Sequence, residues 1–184
     1  MKIGLVRHFP VKKEFLKGRV KQSEVIQWFH EYNAAPVQSI EFLNKKEWKK
    51  CYCSQLPRAT ETARAIYTGE INTLEALNEP FPSPIFKADV KLPFLLWALI
   101  VRLAILHNHS SQVHRKEILQ VRLQAFLNQI INENDDALVV SHALTMEIMS
   151  ARLLKEGFEG ERISRPEHGR LYVFEKITDI ATNY

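Results

Sequence analysis

Four short groups of residues combine histidines, arginines and one carboxylate in a way that suits phosphoryl transfer. The first is Arg7-His8, at the end of the apolar stretch that opens the chain. A guanidinium binds a phosphate in a fixed bidentate geometry, and a neutral imidazole offers a nitrogen nucleophile. The dipeptide alone is weak evidence, so the prediction depends on whether the rest of the chain supplies the other parts of such a site.

The three other groups supply these parts. Arg58 lies in the first turn of a predicted helix, where free backbone N–H groups and the helix dipole favour an anion. Glu79 follows another predicted strand, and His142 follows a continuous apolar run. Taken singly, each has a structural explanation, as a helix cap, a solvated helix residue or a surface acid. Taken together, they predict a positively charged pocket with a nucleophile and a proton source.

The elements that must position these groups alternate between strand and helix. Apolar patterns predict strands over 2–6, 50–53, 71–74, 137–140 and 170–176, and helices over 57–67, 113–131 and 143–156. This alternation predicts an α/β fold, a three-layer α/β/α sandwich with a mostly parallel sheet, in a single domain of 184 residues. Parallel strands end at one edge of a sheet, and all four groups fall at such ends.

The region between the third strand and the helix at 113 has a different composition. Pro80, Pro82 and Pro84 exclude a regular helix there. The stretch 92–106 is the most apolar of the chain, but its 15 residues fall short of the ~20 that span a bilayer. We expect an apolar cap over about 80–110, whose helix either covers the site or forms a homodimer face.

Composition and cysteine use exclude other classes of protein. A net charge of +4 favours anionic ligands but is too small for a dedicated nucleic-acid binder. Cys51 and Cys53 lie too close together on one strand for a disulfide, so we expect free thiols, a reducing cytoplasmic setting and no membrane partner. The histidines of 107–114 lack the acid or cysteine pattern of a metal site, and no cofactor is expected.

On these residues the chain resembles the histidine phosphatase superfamily, the phosphoglycerate mutase-like proteins. The family's Arg-His-Gly corresponds to Arg7-His8-Phe9, and its Ser-x-Leu-x-Arg-Ala-x-x-Thr-Ala matches 54–63 at every named position. Its Leu-x-Glu and Val-Ser-His-Gly motifs correspond to 77–79 and 140–143. The resemblance covers nearly the whole chain.

The resemblance implies a role for each candidate residue. His8 is then the nucleophile that forms a phosphohistidine, and Arg7, Arg58 and His142 bind the transferred phosphoryl group. Glu79 protonates the leaving oxygen and then helps to activate water. The arginines favour the neutral, nucleophilic form of the imidazole, and no metal is implied because the cationic side chains neutralise the phosphoryl charge.

The sequence departs from the family pattern at two glycines, which are replaced by Phe9 and Ala143. We expect Phe9 to place its ring at the mouth of the pocket and, with Ser54, to take part in substrate or phosphate binding. The basic stretch 11–21 either contacts a second anionic group or forms a solvated face.

These expectations together describe a metal-independent phosphomonoester hydrolase, a histidine acid-type phosphatase acting on a phosphorylated small molecule. A phosphoglycerate mutase-type phosphotransferase is an alternative, although family mutases carry a longer enclosing insertion. A non-catalytic phosphate-binding member of the fold is another. A phosphoprotein phosphatase needs an open cleft, which the proline-rich loop beside Glu79 disfavours.

Overall fold

The computed structural model describes residues 1–42, 47–81 and 83–176. Pro82 of the expected proline-rich loop lies outside these residues. The strands are β1 (Lys2–Arg7), β2 (Arg19–Lys21), β3 (Lys50–Ser54), β4 (Ile71–Leu74), β5 (Lys91–Pro93), β6 (Ala137–Ser141) and β7 (Leu171–Glu175). The helices are α1 (Gln22–Ala34), α2 (Pro57–Ile66), α3 (Phe94–Leu106), α4 (Ser110–Glu133) and α5 (Ala143–Lys155), and a short 3-10 turn covers Glu75–Leu77.

Five strands form the main sheet, in the order β4-β3-β6-β1-β7. The first four run parallel to one another, and β7 runs antiparallel to β1. Every residue of the central strand β6 is buried, as expected for a strand covered on both faces. The prediction of a mostly parallel sheet is therefore confirmed.

Alternating side chains of the strands enter two different cores, one on each face of the sheet. Ile3 and Leu5 belong to the core under α4 and α5, whereas Val6 belongs to the core under α2. Cys51 and Cys53 also lie in the α2 core as free, buried thiols. Burial raises the pKa of Cys51 to about 12 and that of Cys53 to about 11, so both behave as small apolar side chains. These three layers are the predicted sandwich.

A third, smaller core lies beside the main layers. Strand β2 pairs antiparallel with β5, and α1 packs on α3 around the buried side chains of Trp28, Phe94 and Trp97. The Trp97 indole N–H donates to the carbonyl of Val20 at 2.9 Å. The segment 80–110, in which a cap was expected, thus packs against residues 19–34, and this contact was not predicted.

The helix predicted over 92–106 begins at Phe94, because the preceding three residues pair with β2 as a strand. Leu95, Leu99 and Leu103 lie on its exposed face, and Leu95 is 75% exposed. No single helix among the described residues is long and apolar enough to cross a membrane. Helices α3 and α4 reach the required length and hydropathy only when they are counted together, and they are bent by 62° relative to each other.

Candidate active site

The parallel strands bring the predicted residues together at one edge of the main sheet. Strand β1 ends at Arg7 and β6 ends at Ser141, so His8 and His142 follow directly. The His8 backbone N–H donates to the Ser141 carbonyl at 3.0 Å, which holds the two chain ends side by side. The two imidazole rings lie 5.2 Å apart between centroids.

His8 carries its proton on Nδ1. This nitrogen lies 2.7 Å from the Phe9 carbonyl oxygen, which only accepts, so Nδ1 must be the donor. The Nε2 lone pair of the neutral ring is then the nucleophilic one. Burial, with the nearby Arg58 charge second, lowers the pKa of His8 to about 2, so the ring is neutral at ordinary pH.

Arg58 links His8 to Glu79. Its Nε donates to His8 Nε2 at 3.2 Å, and its Nη1 donates to Asn33 Oδ1 at 2.6 Å. Its Nη2 lies 3.9 Å from Glu79 Oε2, and the Tyr32 ring packs against the guanidinium at 5.3 Å. The side chain is buried, because Arg58 is only 3% exposed. Asn33 and Tyr32 were not predicted as site residues, because they lie on helix α1, which was itself not predicted.

A chain of hydrogen bonds fixes the tautomer of His142. The Ser54 hydroxyl accepts from the Leu56 N–H at 3.1 Å and lies 2.7 Å from Asn78 Oδ1. That oxygen also accepts from the Gln55 N–H at 2.9 Å, so the hydroxyl proton must point to it. His142 Nε2, 2.8 Å from the hydroxyl, is therefore the donor. This leaves a lone pair on His142 Nδ1, a buried atom with no hydrogen-bond partner among the described residues.

The same geometry gives Ser54 a positioning role. Its proton points to Asn78 and its oxygen accepts from two donors, so the residue orients His142 in this structure. Phosphate binding by Ser54 stays a prediction. Asn78, the unspecified position of the Leu-x-Glu motif, completes this network.

Glu79 lies at the start of helix α5. Its Oε1 accepts from the Leu144 N–H at 2.9 Å, in the first turn of that helix. The free N–H groups and the dipole of a helix N-terminus suit a carboxylate at this point. The bond orients Glu79 so that Oε2 is the oxygen nearer to Arg58.

Arg7 and a histidine that the sequence analysis missed complete the cluster. Arg7 Nη1 donates to the Pro166 carbonyl at 3.0 Å, and its buried Nε has no hydrogen-bond partner among the described residues. His168 Nδ1 donates to the His8 carbonyl at 2.6 Å, and its ring lies edge-on to the His8 ring at 5.0 Å. No motif points to His168, which lies in the loop before β7. No group of three His, Cys, Asp or Glu side chains within the described ranges is arranged to hold a metal ion.

Phe9 does not lie at the mouth of the pocket, and that prediction is wrong. The residue is 1% exposed, and its backbone N–H donates to Thr62 Oγ1 at 2.8 Å, which turns it toward α2. Its ring packs beside Gly169 and borders a separate groove with Ile40 and Trp48. Phe9 therefore contributes to packing behind His8.

A cavity of about 230 Å³ opens beyond Arg58 and Glu79. Residues of α1, α3, α5 and the loop at 80–81 line it, so α3 forms one of its walls. The apolar helix therefore borders the cavity, while its exposed face keeps the homodimer alternative as a prediction. No side chain of the basic stretch 11–21 lines the cavity, and Lys13 instead pairs with Glu31.

Folding stability is expected to fall as the pH drops below about 6.5. Burial is the first cause that lowers the pKa of His8, His142 and His168, so the unfolded chain takes up protons that the folded chain does not. The free energy of unfolding then decreases by on the order of 1 kcal/mol per pH unit for each such histidine, until its folded-state pKa is reached.

Urea unfolding between pH 7.5 and pH 5 measures this slope. His8→Asn removes one of the three titrations and should flatten the slope, whereas His114→Asn on the exposed surface of α4 is the matched control. Equal slopes in the wild type and the His8 variant would contradict the prediction.

Comparison with known proteins supports the fold. No family model and no curated protein matches the sequence. The alpha-ribazole phosphatase from Shigella flexneri matches with a TM-score of 0.51 at 16% identity, over 94% of this chain and 89% of that one. YhfR from Bacillus stearothermophilus matches with a TM-score of 0.53 at 14% identity, over 97% and 96% of the two chains. The chain therefore has the phosphoglycerate mutase-like fold of the histidine phosphatases.

Proposed function

We propose that this protein is a phosphomonoesterase that hydrolyses a phosphorylated small molecule through a phosphohistidine on His8. The observation that carries this proposal is the continuous series of contacts from His8 Nε2 through the Arg58 guanidinium to the Glu79 carboxylate. This series brings an imidazole, a guanidinium and a carboxylate together, which are the groups that a phosphoryl-transfer site needs, and Arg58 and Glu79 also line the cavity. The alpha-ribazole phosphatase among the similar structures agrees with it.

The first step transfers the phosphoryl group to His8. A phosphoryl dianion draws the Arg58 N–H away from Nε2, because a charged acceptor forms the stronger hydrogen bond. The freed lone pair attacks phosphorus while the bond to the leaving oxygen breaks, and Glu79 gives its proton to that oxygen. The Nδ1–H bond to the Phe9 carbonyl stabilises the positive charge that develops on the ring.

Arg7 and His142 hold the transferred group. The Nε–H of Arg7 is buried and has no hydrogen-bond acceptor among the described residues, so it can donate to the phosphoryl group. When the substrate binds, His142 takes up a proton from solvent at Nδ1, the nitrogen that the Ser54 network leaves unprotonated, because the phosphoryl charge favours the imidazolium. Both then donate to equatorial oxygens, where the transition-state charge resides.

The second step returns the enzyme to its starting state. The Glu79 carboxylate takes a proton from water, and the water oxygen attacks phosphorus. The phosphorus–nitrogen bond breaks with its electron pair returning to His8 Nε2, and inorganic phosphate leaves. Glu79 keeps the proton taken from water and is ready for the next substrate, and His142 releases its Nδ1 proton to solvent as the phosphate leaves.

Trapping the intermediate tests the proposal directly. The protein is mixed with an aryl phosphate and quenched at alkaline pH, which preserves phosphohistidine, and the peptide containing His8 is analysed by mass spectrometry. We expect phosphorylation on His8. Steady turnover with no phosphoryl group on that peptide would overturn the mechanism.

A non-catalytic phosphate-binding protein is the second candidate, and one observation favours it. His8 is only 2% exposed, and Arg58 already donates to its nucleophilic nitrogen. A binding protein would take up inorganic phosphate with neither turnover nor a phosphohistidine. The trapping experiment therefore separates the two candidates.

Glu79→Gln is expected to slow hydrolysis according to the leaving group. The amide keeps an oxygen for the Leu144 N–H but gives up no proton, so loss of general acid catalysis costs about 10²- to 10⁴-fold with alkyl phosphates. Hydrolysis of 4-nitrophenyl phosphate should fall much less, because its leaving group departs as a stable anion. Steady-state rates of both substrates measure the difference.

Glu75→Gln is the matched control for this variant. Glu75 lies on the exposed surface of the adjacent 3-10 turn, outside the cavity lining. Its rates should equal those of the wild type with both substrates. An equal loss with both substrates in Glu79→Gln would exclude Glu79 as the acid.

A further inference from the structure

The walls of the cavity beyond Arg58 are largely apolar. Ala98, Val101 and Ile105 line it from α3, while Phe29 from α1 and Phe81 from the following loop line other parts. The two phenylalanine rings lie 6.1 Å apart in an edge-to-face arrangement. A leaving group that extends away from the phosphoryl site therefore meets hydrocarbon and aromatic surface.

The charges that line the cavity are already paired. Arg58 Nη2 lies 3.9 Å from Glu79, and Arg102 Nη2 lies 3.8 Å from Glu147 at another part of the lining. Each cation among the described lining residues thus faces a carboxylate. In the proposed mechanism the transferred phosphoryl group occupies Arg58, so a second phosphate or a carboxylate on the leaving group would meet, among the described lining residues, only Arg102, which already faces Glu147. This disfavours bisphosphates and phosphorylated acids.

A sugar also fits these walls poorly. Its hydroxyls would lose water against the phenylalanine and aliphatic side chains, and each unpaired hydroxyl costs roughly tenfold in affinity. An aromatic ring has no hydroxyls whose hydrogen bonds to water would be lost, and it packs against the edges and faces of the phenylalanines.

We propose that the cavity binds the leaving group of an arylalkyl or aryl phosphate, so that the substrate is the phosphate monoester of an aromatic alcohol. This inference rests on the proposed function, because it places the leaving group relative to a phosphoryl group held at His8. Arg58 and Glu79 then mark the boundary between the phosphoryl end and the apolar end.

Benzyl phosphate and glucose 6-phosphate form a matched pair of test substrates, because both are esters of primary alcohols and differ little in leaving-group reactivity. We expect kcat/KM to be at least about tenfold higher for benzyl phosphate, from the apolar contacts it gains. Val101→Asn should reduce that advantage about tenfold, and the milder Val101→Thr should reduce it in part. Leu99→Asn, on the exposed face of the same helix, should leave it unchanged.

A binding measurement keeps this inference separate from catalysis. The dissociation constants of benzylphosphonate and methylphosphonate, which are not hydrolysed, are compared by calorimetry, and we expect benzylphosphonate to bind at least about tenfold more tightly. Equal affinities, or a kcat/KM for glucose 6-phosphate that matches that of benzyl phosphate, would overturn the inference. Tight, Val101-dependent binding of benzylphosphonate without turnover or phosphohistidine would support the ligand class and overturn the proposed hydrolysis.

Discussion

The His8→Ala variant is expected to bind phosphate monoesters and to leave them intact. Alanine removes the His8 Nε2 nitrogen that contacts Arg58, so the covalent step has no acceptor. Removing a catalytic nucleophile lowers kcat by about 10⁴-fold or more. Hydrolysis of 4-nitrophenyl phosphate under saturating conditions measures the loss.

The variant also separates catalysis from binding. Arg7, Arg58 and His142 remain, so inorganic phosphate should still bind, and calorimetry checks this. His114→Ala, on the exposed surface of α4, should keep full activity and serves as the matched control. Undiminished hydrolysis in a folded His8→Ala protein would show that the phosphoryl group never passes through this residue.

The second large effect is expected for Arg58→Ala, with a loss of about 10³-fold or more in kcat/KM. The guanidinium contacts His8 and Asn33 and lies 3.9 Å from Glu79. In the proposed mechanism it supplies positive charge where negative charge develops on the phosphoryl oxygens. Arg58→Lys should recover only part of this loss, because an ammonium group cannot reproduce the planar set of donors.

Arg64→Ala provides the control for this variant, since Arg64 lies near the end of the same helix α2 and is exposed. Its kcat/KM should equal that of the wild type. A loss in Arg64→Ala as large as that in Arg58→Ala would indicate a general effect of charge or helix stability rather than a local one.

The pH dependence of the Arg58→Ala variant gives a further readout. The Arg58 charge is, after burial, the largest cause of the lowered pKa of His8, so its removal raises that pKa. The acid-side decrease of kcat/KM should therefore begin at a higher pH than in the wild type. The same onset in both proteins would contradict this link between the two residues.

The sequence predicted the four groups of the site because each directly follows a strand or begins a helix. Parallel strands end at one edge, so a correct strand assignment already placed Arg7, His8 and His142 together. What the sequence could not predict concerns side chains whose partners are distant in sequence. Nothing local indicates, for example, that Asn78 accepts the Ser54 proton.

Two other omissions have different causes. Helix α1 carries apolar residues at 25, 28, 29 and 32, the spacing of a helix with one buried face, so a periodicity count over that stretch would have found it. That count would still not have shown that Asn33 reaches Arg58. His168 has no comparable signal, because the loop before β7 brings it to His8 only in the folded chain.

The bond from Arg58 to His8 Nε2 has a consequence for chemical selectivity. A small electrophile that diffuses to the site meets a ring that is 2% exposed and whose lone pair is already hydrogen-bonded. In the proposed mechanism an anionic phosphoryl group competes for the guanidinium and releases that lone pair. The substrate thereby unmasks its own nucleophile, and we expect sulfate esters, which carry one negative charge, to react more slowly than phosphate dianions.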